Sequence, residues 1–254
     1  MKTQCFENKE FLRTLSNYES DLRLGNPSET GIKEKCVWFG IKDFDLFNQI
    51  GVDCMHDILE GVAKYVMQFI LIQYIRNFKL FSLTVLNNRI HNFDYGPDCR
   101  NQPCTLAMDH LVHRNVRMTA SEMLTFLRYF GLLVGEFVPR EDETWKLYKK
   151  LKIELDIVLS TAFAKGTEGQ LQTAVTELNT MYLSLTKDSL KPKFQNLVHY
   201  HTALEKYGPI ISLWSMRFEA KHQIFKMASN ASCNRRNITL SLAMKHQLQL
   251  NDFF

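Results

Sequence analysis

The sequence has no long run of lysine or arginine and no apolar stretch near its amino end. A nucleic-acid surface would therefore have to be assembled in three dimensions from scattered basic residues. The opening residues, MKTQCFENKEFLR, lack the apolar region of a secretory signal. The six cysteines are scattered, and a chain of this length does not need disulfides for stability. We expect a reduced intracellular protein, nuclear or cytoplasmic, and not a secreted one.

Several motifs that carry chemistry are missing too. The sequence has no glycine-rich phosphate loop and no Gly-x-Ser-x-Gly nucleophile elbow. Cys99 and Cys104 have the acidic and histidine residues Asp109, His110 and His113 nearby. Their spacing matches none of the strong Cys-x2-Cys zinc forms, and the segment is rich in asparagine, proline and glycine. We therefore do not predict a zinc site there.

The composition is that of an ordinary globular protein. The chain has 254 residues, of which 45% are apolar and 23% charged. This is enough for one large domain or two small ones with a hydrophobic core. The net charge of +4 permits a polyanionic partner without requiring one. The most hydrophobic stretch, residues 62–78, contains Lys64 and Arg76, so it predicts a buried helix and no membrane partner.

Apolar residues recur at helical spacing from Met55 onward. The pattern predicts about eight helices with little strand, which is a mainly α fold. Only residues 37–50, which are aromatic and punctuated by Gly40 and Asp43, indicate a strand or an extended segment. The predicted helix starts are the capping residues Thr119 with Glu122, Asp142, and Thr167 with Gln170, and the first-turn proline Pro192.

A first cluster of polar residues, Asp53-Cys54-Met55-His56-Asp57, lies at the start of the longest predicted helix. Asp53 and His56 are three residues apart and share a helical face. Aspartate is a preferred helix cap, and carboxylates are favoured at a helix N-terminus. The spacing by itself therefore favours a cap at Asp53 and a first-turn polar role for His56.

A second cluster consists of Lys191 and Lys193 around a proline, followed by His199 and His201. The two histidines do not share a helical face, so they do not predict a metal site of their own. The two lysines could contact phosphate, but lysines at a helix start are more often simply solvated.

A third cluster is the segment MRFEAKHQIFK, residues 216–226. On a helix, Glu219 shares one polar side with His222 and Lys226. Glu219 is a candidate metal ligand or general base. It is equally a candidate for an exposed ion pair of little energetic value. Spacing alone favours the exposed pair.

In this order the clusters resemble the transposases of the CACTA (En/Spm-like) group and their domesticated relatives in animal genomes. Order and approximate spacing agree from Asp53 to His222, which is most of the chain. The matching segments are DCMHDILEGV from Asp53, ASEM from Ala120 with LVG from Leu133, LKPK from Leu190 with HY from His199, GP from Gly208, and MRFEAKH from Met216.

The resemblance implies a DDE-type catalytic domain of the ribonuclease-H-like fold, with an all-helical insertion before its last acid. It implies that Glu219 is that third acidic residue and a ligand of Mg²⁺ or Mn²⁺. Asp53 and His56 would form an Asp-x2-His signature, although an alternative alignment makes Asp53 the second catalytic acid. Two metal ions in a complete relative would activate water or a 3′-hydroxyl. His56 would position the scissile phosphate or a flipped base.

The resemblance leaves one part of the family pattern unmatched. The upstream strands, the first two catalytic aspartates and a Cys-x2-Cys are not found in residues 1–50. We expect an incomplete ribonuclease-H-like core: residues 1–52 as its remnant edge or linker, 53–210 as the helical insertion, and 211–254 as the C-terminal helices with Glu219. A lone carboxylate binds Mg²⁺ weakly, so we expect no tight metal binding and no catalysis by this chain alone.

The resemblance also implies which partners the protein binds. It implies binding of DNA, the transposon ends, and homo-oligomers, since transposases act as multimers. One alternative is a domesticated helical scaffold that binds DNA or protein without catalysis. Another is a plain helical protein whose acids and histidines are caps and surface pairs. The basic residues expected to contact DNA are Lys191, Lys193, Arg217, Lys221, Lys226, Arg235 and Arg236.

Overall fold

A computed structural model describes residues 3–112, 116–232 and 236–251. Its described part is mainly helical, at 69% helix, and contains no strand. The mainly α fold is thus confirmed. The helices are α1 (Leu15–Leu24), α2 (Pro27–Thr30), α3 (Met55–Asn77), α4 (Leu83–Asn92), α5 (Met108–Val112), α6 (Ala120–Val134), α7 (Glu143–Val158), α8 (Thr167–Thr186), α9 (Pro192–Leu197), α10 (Tyr200–Tyr207), α11 (Met216–Ala231) and α12 (Ile238–Asn251).

Helix α3 is the central element of the N-terminal part of the molecule. Its apolar residues recur every three or four positions, and Ile58, Val62, Val66 and Ile70 are fully buried. It packs against α5, α6, α7 and α9. By length and composition alone it is the one described helix that could cross a membrane, but 61% of its most apolar window is buried inside the protein.

The first two turns of α3, Met55–Val62, are wound as a π-helix, and so is its end, Gln73–Asn77. π-helical turns are rare and are frequently found at functional sites. The first of these segments carries His56 and Asp57, which places two residues of the first polar cluster on an unusual backbone. The candidate site described below is built around it.

The predicted helix starts at Thr119, Asp142 and Pro192 agree with the structure. Thr119 and Glu122 form a reciprocal capping box, and Pro192 occupies the first turn of α9. Asp142 accepts hydrogen bonds from the Trp145 amide at 2.7 Å and from the Tyr74 hydroxyl at 2.6 Å. The start at Thr167 differs, because Gly166 with φ of 95° takes the cap position and no side chain caps α8.

The expected strand or extended segment at residues 37–50 was wrong. Val37–Gly40 forms a 3₁₀ turn and the following residues form bends and turns. The aromatic side chains that suggested a strand instead pack among themselves, with the rings of Tyr18, Phe39 and Phe47 5.0 to 5.9 Å apart. Aromatic pairs at these distances stabilise a small irregular cluster as readily as a pleated surface.

The chain forms two compact units, Met1–Leu213 and Trp214–Phe254. In the first unit, apolar side chains of α6, α7 and α8 join α3 in one hydrophobic core. The second unit consists of α11 packed on α12, where the rings of Phe225 and His246 meet edge to face at 5.3 Å. No side chain in the described part of this second unit is buried.

Five cysteines in the described residues are free thiols, and Cys233 lies outside that part of the chain. Cys104 donates to the Arg117 carbonyl, and His110 accepts from the Ala107 amide. His113 lies outside the described residues.

Candidate functional site

A cleft of about 1280 Å³ opens between the N-terminal segment, the start of α3, and helices α9 and α10. It brings together residues from two of the polar clusters, although more than 130 positions separate them in the chain. Asp53, His56 and Lys193 line it together. The cleft is larger than the range of about 300–1,000 Å³ that is typical of small-molecule pockets.

Asp53 bonds to the start of helix α3 and orients His56 at the same time. Its Oδ1 accepts from the Met55 amide at 3.0 Å, and its main-chain oxygen accepts from Asp57. Its Oδ2 accepts from Nδ1 of His56 at 2.5 Å. Cys54, and not Asp53 as predicted, takes the cap position of α3, which begins at Met55. The two carboxylate oxygens of Asp53 make different bonds, one to the main chain at the start of the helix and one to His56. The contact also fixes the orientation of the imidazole.

Asp57 is a buried carboxylate, and its side chain is 8% exposed. Oδ1 accepts from Nζ of Lys193 at 3.1 Å and from Nδ2 of Asn196 at 2.8 Å, and Oδ2 accepts from the Tyr200 hydroxyl at 3.2 Å. Three donors offset the desolvation of this charge. Burial, followed by the nearby charge of Asp57, raises the pKa of Tyr200 well above its usual range, so the phenol remains a donor.

Gly61 explains how α9 comes this close to α3. A Cβ atom at this position would lie 2.9 Å from Cγ of Lys193 and 3.0 Å from the main-chain oxygen of His56. Only glycine leaves room for both neighbours. The close approach places Lys193 within reach of Asp57.

Glu7 is a functional candidate that the sequence did not suggest. Its side chain is 4% exposed and bonds to Nδ1 of His199 at 2.6 Å and to the Thr202 hydroxyl at 3.0 Å, with Nε2 of His201 at 3.4 Å. Burial by itself would raise the pKa of Glu7. The hydrogen bonds from His199 and Thr202 and the charges of both histidines outweigh it, so the pKa is lowered. His199 and His201 were not predicted to form a metal site of their own. In the structure both contact the carboxylate of Glu7.

The two lysines expected to contact DNA in this unit already have acidic partners. Nζ of Lys191 lies 3.1 Å from Asp188, and Nζ of Lys193 lies 3.1 Å from Asp57. About a third to two fifths of each side chain is exposed. A phosphate would have to compete with these carboxylates for the ammonium groups.

The remaining predicted residues lie on α11 in the second unit. Arg217, Glu219, Lys221 and Lys226 are all exposed there. The structure thus places Asp53, His56 and Lys193 in one cleft, and Glu219 in a different compact unit. Arg235 lies outside the described residues, whereas Arg236 is exposed.

The net charge of the molecule is concentrated in this second unit. Residues 214–254 contain six of the 31 Lys and Arg residues and two of the 27 Asp and Glu residues, a net charge of +4. Residues 1–213 contain 25 of each and are neutral. The cations in the described part of the second unit, all exposed, are Arg217, Lys221, Lys226, Arg236 and Lys245.

The carboxylates of the cleft do not suit a divalent metal ion. Four of them line it, Glu7, Asp45, Asp53 and Asp57, and each accepts hydrogen bonds from protein donors. Mg²⁺ and Mn²⁺ need several oxygen ligands, and each donor that a carboxylate already binds leaves it fewer lone pairs for a metal. Across the described residues, no group of three or more His, Cys, Asp and Glu side chains is placed to hold a metal.

Comparison with known proteins gave no match: no family model, no curated protein and no solved structure is similar to this chain.

Proposed function

We propose that this chain derives from a DDE transposase of the CACTA group and binds DNA without cutting it. The single observation that carries DNA binding is the concentration of the net charge in the exposed pair of helices α11 and α12. The transposase origin is supported by the resemblance of the segments from Asp53 to His222. We also propose that the chain contains an incomplete ribonuclease-H-like core.

Exposed cations on a helix are the groups that bind the phosphate backbone. Arg217 and Lys221 are four residues apart and lie on one side of α11, whereas Lys226, nine residues after Arg217, lies on the opposite side of the helix. Each phosphate that they neutralise releases bound counterions, and this release drives sequence-independent binding to DNA. Because Lys191 and Lys193 are paired with carboxylates, we assign them a smaller share of the affinity.

The hydrogen bonds of the cleft carboxylates support the proposed absence of catalysis. Asp53 is bonded to His56, and Asp57 is bonded to three donors, so neither offers an open carboxylate for Mg²⁺ or Mn²⁺. We expect no metal-dependent nicking of supercoiled plasmid by the purified chain, and nicking that requires Mg²⁺ or Mn²⁺ would overturn this part of the proposal.

DNA binding is tested by fluorescence anisotropy with a labelled duplex. The variant R217A/K221A/K226A removes three exposed cations from α11. The matched control K33A/K149A/K165A removes three exposed lysines from the neutral unit. We expect the α11 variant to bind DNA at least about tenfold more weakly and the control to bind like the wild type. Equal losses in the two variants would contradict a DNA site on α11.

A second candidate function, a scaffold that binds protein, is favoured by exposed apolar side chains on the same two helices. Phe218 is 69% exposed, Met227 66% and Leu248 63%. A contiguous patch of such apolar residues would mark an interaction surface. Self-association through them would produce the homo-oligomer that the resemblance implies. Light scattering after size-exclusion chromatography tests this, since F218S/M227S/L248S should convert an oligomer to a monomer while retaining DNA affinity.

A further inference from the structure

The N-terminal segment, residues 3–52, is attached to helix α10 at two places. Near its start, Glu7 bonds to His199 and Thr202. Near its end, Nζ of Lys206 donates to Oδ1 of Asn48 at 3.1 Å, and the Tyr207 hydroxyl donates to the Asn48 carbonyl at 2.5 Å. The first anchor is thus at the beginning of α10 and the second at its end.

The segment holds itself together independently of these anchors. Apart from the anchoring carboxylate of Glu7, the buried side chain described in this segment is that of Tyr18, which packs on Phe39 and Phe47 of the same segment. The Tyr18 hydroxyl also accepts from the Cys36 amide at 2.8 Å and donates to the Glu34 carbonyl at 3.3 Å. The small aromatic cluster is therefore internal to the segment, which lets the segment move as one body.

The two anchors differ in what their removal would do. Asn48 lies five residues before Asp53, where the chain enters α3, so the second anchor is next to the covalent connection. Glu7 lies at the far end, and its contact with His199 spans 192 positions. Releasing Glu7 frees the long end of the segment while Asn48 keeps the short end in place.

We propose that residues 3–52 form a hinged flap, one wall of the cleft, and that the Glu7 carboxylate is the latch that holds this flap against α10. The flap contributes Phe39, Phe44 and Phe47 to the cleft lining, facing the wall that carries Asp53 and His56. Opening the latch widens the cleft without unfolding the helical core. Binding of a ligand in the cleft is thereby coupled to the position of the flap.

The latch is tested by hydrogen exchange measured by mass spectrometry on the full chain. Glu7→Gln keeps the size of the side chain but removes the charge that both histidines stabilise. We expect the amides of α1, Leu15–Leu24, to exchange about tenfold faster or more, because hydrogen bonds to a buried charge contribute that much or more to local stability. The amides of α6, Ala120–Val134, should be unchanged. Glu10→Gln, an exposed carboxylate of the same flap, is the matched control and should change neither helix.

A second variant, His199→Ala, removes the partner of the latch. It should accelerate exchange in α1 as Glu7→Gln does, and the double variant should not exceed either single variant, because both substitutions break the same hydrogen bond. Unchanged exchange in α1 on removal of the Glu7 charge would overturn the latch. Equal acceleration in α1 and α6 would also overturn it, since Glu7 would then support the whole fold and not the flap alone.

Discussion

The two units of this molecule are both helical, but they differ in net charge and in how much of their side chains they bury. Residues 1–213 are electrically neutral and surround a hydrophobic core in which α3 is nearly enclosed. Residues 214–254 carry a net charge of +4 and bury no side chain in their described part. A helix with a buried apolar stripe contributes stability, whereas a helix that exposes both cations and apolar groups has its surface available for a partner. Under the proposed function, the first unit provides the fold and the second the surface that binds DNA.

The largest expected effect is on the free energy of unfolding, and a matched pair of phenylalanine-to-alanine substitutions tests it. Phe126 in α6 is fully buried and Phe218 in α11 is 69% exposed. We expect Phe126→Ala to lower the free energy of unfolding by about 3–5 kcal/mol, because burial is reduced and a cavity is left behind. Phe218→Ala should change it by less than about 0.5 kcal/mol. Urea denaturation followed by circular dichroism measures both, and comparable decreases would contradict the division of roles.

A second, smaller effect concerns a polar group inside the core of the first unit. Glu154 on α7 is completely buried, and neither of its carboxyl oxygens has a hydrogen-bond partner in the protein. Burial raises the pKa of Glu154 to about 8. Glu154→Leu should therefore stabilise the protein by about 1–4 kcal/mol at pH 8, as apolar replacements of buried charges do.

The pH dependence gives the sign of that effect. A folded-state pKa above the unfolded one means that the native protein holds the proton more tightly, so stability falls as pH rises from about 4.5, the ordinary glutamate value, to about 8. Glu154→Leu should remove this component of the decline. Thermal melts of both proteins across that range test it, and an equal pH dependence in the two would show that Glu154 is not the group responsible.

The third effect in size is at Gly61, where α3 and α9 touch. Gly61→Ala places a methyl group 2.9 Å from Lys193 and should cost about 1–3 kcal/mol, since one of the two helices must shift. Gly131→Ala in α6 is the control, because its nearest neighbour would be 3.6 Å away. There the helix propensity of alanine should add up to about 1 kcal/mol of stability. Destabilisation of similar size at both positions would rule out the close approach as the cause.

The helices were predictable because their signals are local. Thr119 and Glu122, three residues apart, specify a capping box, and the residues that pack α3 recur within a few turns of one another. Residues 37–50 misled the prediction because aromatic residues favour strands and small irregular clusters alike. The sequence alone does not determine which other side chains these aromatic rings pack against.

The candidate site was predictable only in part, because its contacts join distant positions. Asp53 and His56 share a turn of helix and were expected to share a face. The contact of Asp57 with Lys193 spans 136 positions, and that of Glu7 with His199 spans 192. The residues next to Asp57 and Glu7 in the sequence give no indication that Lys193 and His199 are their partners. The net charge of the whole chain could be counted from the sequence. Its concentration in residues 214–254 could be recognised only once the boundary at residue 213 was known.

The measurement that tests the central claim most directly is the salt dependence of DNA affinity. The logarithm of the association constant is measured between about 50 and 200 mM salt for the wild type and for R217A/K221A/K226A. We predict a steep slope for the wild type that becomes shallower by about 3 in the variant, close to one unit for each phosphate that is no longer neutralised. A wild-type affinity that does not change with salt, or a variant with an undiminished slope, would contradict DNA binding by the basic helices.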